Sequence, residues 1–204
     1  MSDQGRQTVL SADLVIRFND CRSAGEDAWR TDVVAVPNSG IDGKAIVENP
    51  SWVTVPGIAA AAEIWCVRDP VWLDAIRPEF VRAYPGFEDM CIDYSGGIQE
   101  ICDRHGKRLR ILSAATHQRL DEELAAFSPP PYAVPSSGLI VAADVLWNVA
   151  STVDRIVVAG FSHQGSGEHP WVAEEQWVDR KVAEGKLFRD TIPPARPTLV
   201  APGP

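Results

Sequence analysis

Short runs of apolar residues alternate along the chain with segments in which apolar residues recur every three or four positions. The runs predict five strands, at Leu14–Phe18, Asp32–Val36, Ile64–Arg68, Leu109–Leu112 and Arg155–Ala159. Near-continuous apolar positions, as in the first two runs, are typical of parallel strands that are buried on both faces. The alternation with amphipathic helices predicts an α/β fold: a Rossmann-like, mostly parallel sheet with helices on both faces.

Helical periodicity is clearest in the second half of the chain. The spacing of apolar residues predicts helices at Thr116–Phe127, Leu139–Val153 and Trp171–Glu184. We predict a single domain over residues 1–191, because a chain of 204 residues fits one domain. The proline-rich segment 192–204 is expected to be a flexible tail.

Composition narrows the classes of function. The net charge of −9 argues against a nucleic-acid partner, because a phosphate backbone needs a basic surface. The polar start, Met1–Thr8, lacks the apolar core of a signal peptide, and no apolar run reaches the ~20 residues of a membrane helix. We therefore predict a cytoplasmic protein without a transmembrane segment. Its four cysteines form no CxxC pair, and we expect them to be reduced and mostly buried.

Asn19 directly follows the first predicted strand. Ligands of open α/β sheets bind beyond the carboxyl ends of the strands, and an amide both donates and accepts hydrogen bonds. Asn19 is therefore a candidate ligand-binding residue. The alternative is that Asn19 only forms a turn that leads the chain out of the strand.

A Ser-Ser-Gly segment precedes the helix predicted from Leu139. Ser136 or Ser137 is suited to cap this helix, whose free N–H groups and positive dipole end attract anions. Gly138 would let a ligand approach the backbone closely. The alternative is an ordinary helix cap without a ligand.

The loop before the last predicted helix contains two histidines. His169 is a candidate general base, since histidine titrates near neutral pH, and the alternative is an ordinary surface histidine. His163 and Trp171 are candidates for an accessory role or for contact with an acceptor, although most tryptophans serve core packing. Glu174 lies in the first turns of the helix, where a carboxylate complements the helix dipole or supports the loop by accepting from backbone N–H groups.

In their order and spacing, these segments resemble the sialylmotifs of the family 29 glycosyltransferases, the eukaryotic-type sialyltransferases. Ser11–Asn19 (SADLVIRFN) resembles the second half of the large motif, and Thr31–Val33 resembles the DVG that follows it. Pro135–Gly138 and Asp154–Phe161 resemble the start and the end of the small motif. His169–Glu174 fits the very short motif, His-x-x-x-x-Glu.

This resemblance implies a sialyltransferase-like fold, a GT-A variant, and transfer of an acidic sugar from a CMP-sugar donor to a glycan or small-molecule acceptor. The anomeric centre would invert in one displacement, with no metal and no cofactor. The implied functional residues are donor-binding Asn19, Ser136, Ser137 and Gly138, and the catalytic base His169 with Glu174 in support. A base and an anion cradle are the minimum that such a reaction requires.

Three features depart from the family pattern. The large motif normally begins with a strand that ends in Gly-Asn-Ser-Gly, whereas only Met1–Val9 precedes the matched part here. Either the chain is shortened, its true start lies upstream, or this branch has lost a donor contact. Val153 stands where the small-motif cysteine would be, so the family disulfide is absent. The aromatic motif before the very short motif is degenerate, with His163 as its nearest counterpart.

The chain also resembles bacterial proteins that are often labelled urease operon accessory proteins. That label reflects gene neighbourhood and identifies no reaction. Three functions therefore stay open: a sialyltransferase-like enzyme, a nucleotide- or sugar-binding protein that has lost catalysis, and an accessory protein that binds another protein. Binding of CMP would separate the first two functions from the third, and sugar transfer would separate the first from the second.

Overall fold

The computed structural model describes residues 3–21, 25–27, 29–161, 163–165 and 169–190. Its centre is a sheet of four parallel strands in the order β1-β2-β3-β4. These strands match the first four predicted runs and are β1 (Ile16–Phe18), β2 (Val33–Val36), β3 (Glu63–Cys66) and β4 (Arg108–Ile111). The predicted α/β, Rossmann-like fold is confirmed. The predicted tail, 192–204, lies outside the described residues.

Helices cover both faces of the sheet, and the strand order explains how they are divided. Crossovers between parallel strands are right-handed in nearly all proteins, so an order that advances strand by strand puts every crossover on one face. The helices packed on that face are α2 (Gly40–Glu48), α3 (Pro56–Ala60) and α5 (Ser95–Arg104). Those on the opposite face follow β4 and are α6 (Ala114–Ala125), α7 (Ser137–Asp144) and α8 (Trp171–Ala183).

Two further helices complete this part of the chain. Helix α1 (Asp3–Ser11) precedes β1, and α4 (Pro70–Ala83) follows β3. In the order β1-β2-β3-β4, β1 is an edge strand that pairs with β2 alone within the described residues. Within the described residues, none of the helices has the length and apolar character needed to cross a membrane.

The two faces of the sheet build two separate hydrophobic cores. Val33 and Ala35 of β2 point into the core with α6, α7 and α8, whereas Val34 and Val36 point into the core with α2, α3 and α5. All four β2 side chains are buried, which explains why this run is apolar at every position. The four cysteines are buried and unpaired, as predicted.

The fifth predicted strand forms but lies elsewhere. It is the short β5 (Val157–Val158), which pairs in parallel with β6 (Phe188–Arg189) in a separate two-stranded sheet. The apolar pattern of residues 155–159 therefore indicates a strand without indicating its neighbour. That neighbour is β6, the strand that follows α8 in the chain.

The helix predicted over Leu139–Val153 ends earlier than its pattern indicates. Helix α7 widens into a π-helical turn at Val145–Val149, and the chain leaves the helix at Ala150, whose N–H donates to the Val145 carbonyl. Val153 is 89 % exposed and belongs to no apolar face. An apolar residue at helical spacing cannot by itself extend a helix beyond a widened last turn.

The helices predicted from the sequence do not include α2, α4 or α5. Helix α4 contains Pro78, which would ordinarily break a helix, and it begins at a cap where Asp69 accepts hydrogen bonds from the N–H groups of Val71 and Trp72. Helix α5 contains Gly97, where a Cβ atom would lie only 2.8 Å from a methyl carbon of Val47. Both helices thus contain a residue of poor helix propensity, and at Gly97 the close contact with Val47 explains why a larger residue would not fit.

Candidate functional site

A cleft with a volume of about 1410 Å³ opens at the carboxyl ends of β1, β2 and β3. This is the edge at which open α/β sheets bind ligands. Its wall includes all the site residues predicted from the sequence, namely Asn19, Ser136, Ser137, Gly138, His163, His169, Trp171 and Glu174. The fold thus brings together residues from both ends of the chain.

Ser136 is the N-cap of α7, and its polar groups are engaged within the protein. Its hydroxyl oxygen accepts a hydrogen bond from the N–H of Leu139 at 3.3 Å. Its own N–H and hydroxyl donate to the two carboxylate oxygens of Glu174, at 2.7 and 2.6 Å. Glu174 is 1 % exposed, so this carboxylate anchors α8 to the start of α7. Ser136 could bind a CMP-sugar directly only if its hydrogen bonds to Glu174 were broken.

Ser137 and Gly138 form the first turn of α7, directly after the cap. Their N–H groups have no hydrogen-bond partner among the described residues, as is usual for the first turn of a helix. The ring of Phe161 packs against Gly138, where a Cβ atom would lie 2.8 Å from Cε1 of that ring. Packing alone therefore accounts for the glycine, while the two N–H groups remain available for an anion.

Asn19 has a left-handed backbone, with φ of 55°. Asparagine tolerates this conformation better than most residues, so the turn after β1 explains its presence. Its N–H donates to the carbonyl of Ala35 at 3.0 Å, which extends the pairing of β1 with β2. Its side chain is exposed in the cleft and makes no hydrogen bond within the described part of the chain. The turn therefore leaves the amide free to bind a ligand.

The ring of His169 is held at the cleft by a backbone group. Its Nδ1 lies 2.7 Å from the carbonyl oxygen of Val134, which can only accept, so Nδ1 carries the proton. In the neutral ring Nε2 is then unprotonated, as a general base requires. The ring of Trp171 packs edge-to-face against it, with 4.9 Å between centroids. Trp171 thus limits the orientation of His169.

His163 is buried, and its ring has a partner within the protein. Its Nε2 accepts a hydrogen bond from the Arg189 guanidinium at 3.3 Å. Burial, together with the charge of Arg189, lowers the pKa of His163. A neutral ring whose Nε2 is already engaged is poorly placed to exchange protons with a ligand.

Arg68 is a cleft residue that the sequence reasoning did not single out. It follows β3 and is 5 % exposed, and its Nη2 donates to the carbonyl of Pro135 at 3.0 Å, just before the cap of α7. Burial lowers the pKa of Arg68 to about 10, against the opposing influence of the Glu174 and Asp121 charges. The sequence signal for it is a charged residue at the end of a buried apolar run, at the ligand-binding edge.

An asparagine fixes the backbone of Arg68. The side-chain amide of Asn38, after β2, accepts from the N–H of Arg68 at 2.8 Å and donates to its carbonyl at 2.9 Å. The same amide also donates to Asp93 at 2.8 Å. These bonds continue the pairing of β2 with β3 by one residue and hold the start of the Arg68 side chain in place.

A buried imidazole packs close to Arg68. The ring of His117 in α6 stacks on Trp72 of α4 with 4.2 Å between centroids, and the Arg68 guanidinium carbon lies 6.0 Å from the Trp72 ring. His117 is 1 % exposed. Burial first, and the charge of Arg68 second, lower the pKa of His117 from 6.5 to about 3.

We expect His117 to make the protein sensitive to acid. The unfolded chain takes up a proton at this histidine below about pH 6.5, whereas the folded protein does so only near pH 3. Its contribution to stability is therefore constant above pH 6.5 and becomes unfavourable as the pH falls from 6.5 towards 3. The free energy of unfolding should fall by roughly 2 kcal/mol at pH 5 from this group alone.

Urea unfolding of His117→Phe at pH 7 and pH 5 measures this contribution. Phenylalanine keeps a ring against Trp72 and cannot titrate, so the variant should lose that share of the pH dependence. The exposed His105 provides the matched control, His105→Phe, which should behave like the wild type. An unchanged difference between the two pH values in His117→Phe would contradict the assignment.

Across the part of the chain that the structure describes, no group of three or more His, Cys, Asp or Glu side chains is arranged to hold a metal ion. Independence from metals stays a prediction of the resemblance. Its test is activity in the presence of a chelator.

Comparison with known proteins gives a curated relative. The chain is 41 % identical over 182 residues to the urease operon 23 kDa accessory protein of Rhizobium meliloti (strain 1021). The aligned part covers 89 % of this chain and 84 % of the relative. No family model matches the chain, and no solved structure gives a significant match. The resemblance to urease operon accessory proteins is confirmed, whereas the comparisons add no support for the resemblance to family 29 glycosyltransferases.

Proposed function

Since the chain belongs to the family of the urease operon 23 kDa accessory protein, we propose that it is an accessory protein of this kind whose cleft binds a cytidine nucleotide or a CMP-sugar. The observation that carries the proposal is the start of α7. Two N–H groups, of Ser137 and Gly138, have no partner among the described residues and face the same cleft as the free amide of Asn19.

Phosphate is the group that such a helix start suits best. The N–H groups point at the ligand, and the helix dipole favours negative charge. The net charge of −9 does not prevent this, because a few local donors act at short range while salt screens the distant charges. The amide of Asn19 can both donate to and accept from a nucleotide on the other side of the cleft.

Titration of CMP against the intact protein, followed by calorimetry, tests the binding function. Measurable binding supports the proposal, and its absence would remove the nucleotide from it. The accessory role has its own test: deletion of the gene in its host should lower urease activity, and unchanged activity would contradict that role.

We expect Ser137→Ala to weaken CMP binding by about 1–2 kcal/mol, on the scale of one lost hydrogen bond. The hydroxyl of Ser137 makes no hydrogen bond within the described chain, so its removal should leave the stability of α7 nearly unchanged. Ser51→Ala, at an exposed position away from the cleft, is the matched control. Equal affinity of Ser137→Ala and the control for CMP would contradict a ligand contact by this serine.

Sugar transfer is a second candidate function, favoured by the state of His169. Its Nδ1–H bond to Val134 leaves Nε2 able to accept a proton from an acceptor hydroxyl. Incubation of the protein with CMP-sugars and glycan acceptors, with and without a chelator, tests this function. We expect transfer that a chelator does not abolish. Activity that is lost in chelator and restored by a divalent cation would contradict a metal-free displacement.

A further inference from the structure

We propose that Arg68 and the start of α7 form a subsite for the phosphate group of the ligand. This inference rests on the proposed function for the nature of the nucleotide. Its basis is a buried cation, which lies outside every segment that resembles a sialylmotif. The same chemistry would recognise free inorganic phosphate, so the experiment includes both ligands.

The charge of Arg68 is buried without an ion-pair partner. Arg68 is 5 % exposed, and no carboxylate within the described residues lies within ion-pair distance of its guanidinium. Its Nη1 is buried and has no hydrogen-bond partner there either. Buried charges are normally paired, because an unpaired charge loses its hydration without compensation. An anion bound nearby would supply that compensation.

The guanidinium lies beside the start of α7, so this is where we expect the anion to bind. Nη2 donates to the carbonyl of Pro135, which is adjacent to the cap residue Ser136. The free N–H groups of Ser137 and Gly138 follow within the same turn, and all three donor residues line the same cleft. A tetrahedral phosphate accepts several hydrogen bonds at once, so it can use the guanidinium and the helix N–H groups together.

Glu174 sets the charge balance of the subsite. Its carboxylate accepts two hydrogen bonds from Ser136. The negative charge of Glu174, followed by that of Asp121, stabilises the charged form of Arg68 and so opposes the lowering of its pKa by burial. The carboxyl of Asp121 is occupied by the hydroxyl of Tyr132 at 2.9 Å. Because the Glu174 carboxylate repels a phosphate, Glu174→Gln should bind CMP more tightly than the wild type does, by at least about 10-fold at an effective dielectric of ~20.

A purely structural role for Arg68 makes a different prediction. A clamp on the Pro135 carbonyl needs one donor, which Gln or Lys can provide, and it does not distinguish charged from neutral ligands. A phosphate subsite requires positive charge and acts only on ligands that carry phosphate. The comparison of CMP with cytidine therefore separates the two roles.

Calorimetric titrations with CMP, cytidine and inorganic phosphate test the proposal on the wild type, Arg68→Gln and Arg68→Lys. Arg82→Gln, at an exposed arginine of α4, is the matched control. We expect Arg68→Gln to bind CMP about 10- to 100-fold more weakly, with cytidine unaffected. Arg68→Lys should recover part of the loss because it keeps the charge. Circular dichroism and thermal unfolding establish that each variant is folded.

The outcomes separate this subsite from the proposed function. Equal affinity of Arg68→Gln and the wild type for CMP overturns the subsite and leaves nucleotide binding intact. Equal affinity of the wild type for CMP and cytidine overturns the subsite together with the phosphate contact from which the proposed function is argued. If the protein binds inorganic phosphate but neither CMP nor cytidine, the subsite is supported and the proposed binding of a cytidine nucleotide is overturned. Binding of none of the three overturns both. If Arg68→Gln does not fold, the affinities of Arg68→Lys and Glu174→Gln for CMP decide, and wild-type affinity in both variants overturns the subsite.

Discussion

Replacement of His169 by alanine is expected to leave CMP binding nearly unchanged and to lower sugar transfer by about 10²–10⁴-fold, the usual contribution of a general base. The ring contacts Val134 and Trp171, whereas the proposed phosphate donors are the N–H groups at the start of α7. Its removal therefore deletes the proton acceptor and spares the anion site. Initial rates with a CMP-sugar, alongside calorimetric titration of CMP, measure the two effects separately.

His105→Ala is the matched control, because His105 is exposed at the end of α5 and lies outside the cleft. A His169→Ala protein that loses stability but keeps its specific activity would make this histidine a structural residue. If the wild type transfers no sugar yet binds CMP, transfer is excluded and the binding function stands alone.

Asp144→Ala is expected to lower the free energy of unfolding by about 2–4 kcal/mol, because it breaks a buried charged network. Asp144 ends α7 and is 1 % exposed. Its carboxylate accepts from Arg110 of β4 at 2.6 Å, from Thr116 of α6 at 3.0 Å and from Asn148 at 2.8 Å. Without it, the hydroxyl and the amide lose a buried acceptor and the Arg110 charge is left unpaired.

The same substitution should also weaken CMP binding, since the network holds α7 against the sheet and the first turn of α7 carries the proposed anion donors. Urea unfolding and CMP titration of Asp144→Ala and of Asp103→Ala, an exposed aspartate on α5, provide the comparison. The control should change stability by no more than about 0.5 kcal/mol. A change of that size in Asp144→Ala would mean that the network contributes little.

Local patterns in the chain determine the main elements of this protein. The burial of both faces of β2 is visible as an unbroken apolar run, and a helix cap at Ser136 or Ser137 is recognisable from the residues beside it. Such features depend on neighbouring positions, whose backbone geometry repeats with a fixed period. For the same reason the sequence predicts that the carboxyl ends of the strands, with Asn19, face a ligand site.

Only the tertiary structure decided how the predicted residues are used. Ser136 donates its hydrogen bonds to Glu174, which lies 38 positions further along the chain. Arg68 donates to the carbonyl of Pro135, which lies 67 positions further along. The position of β5 beside β6 is likewise invisible in the run that forms it. Contacts of this kind depend on which elements pack together, and a local pattern records how much of an element is buried but not which partner buries it.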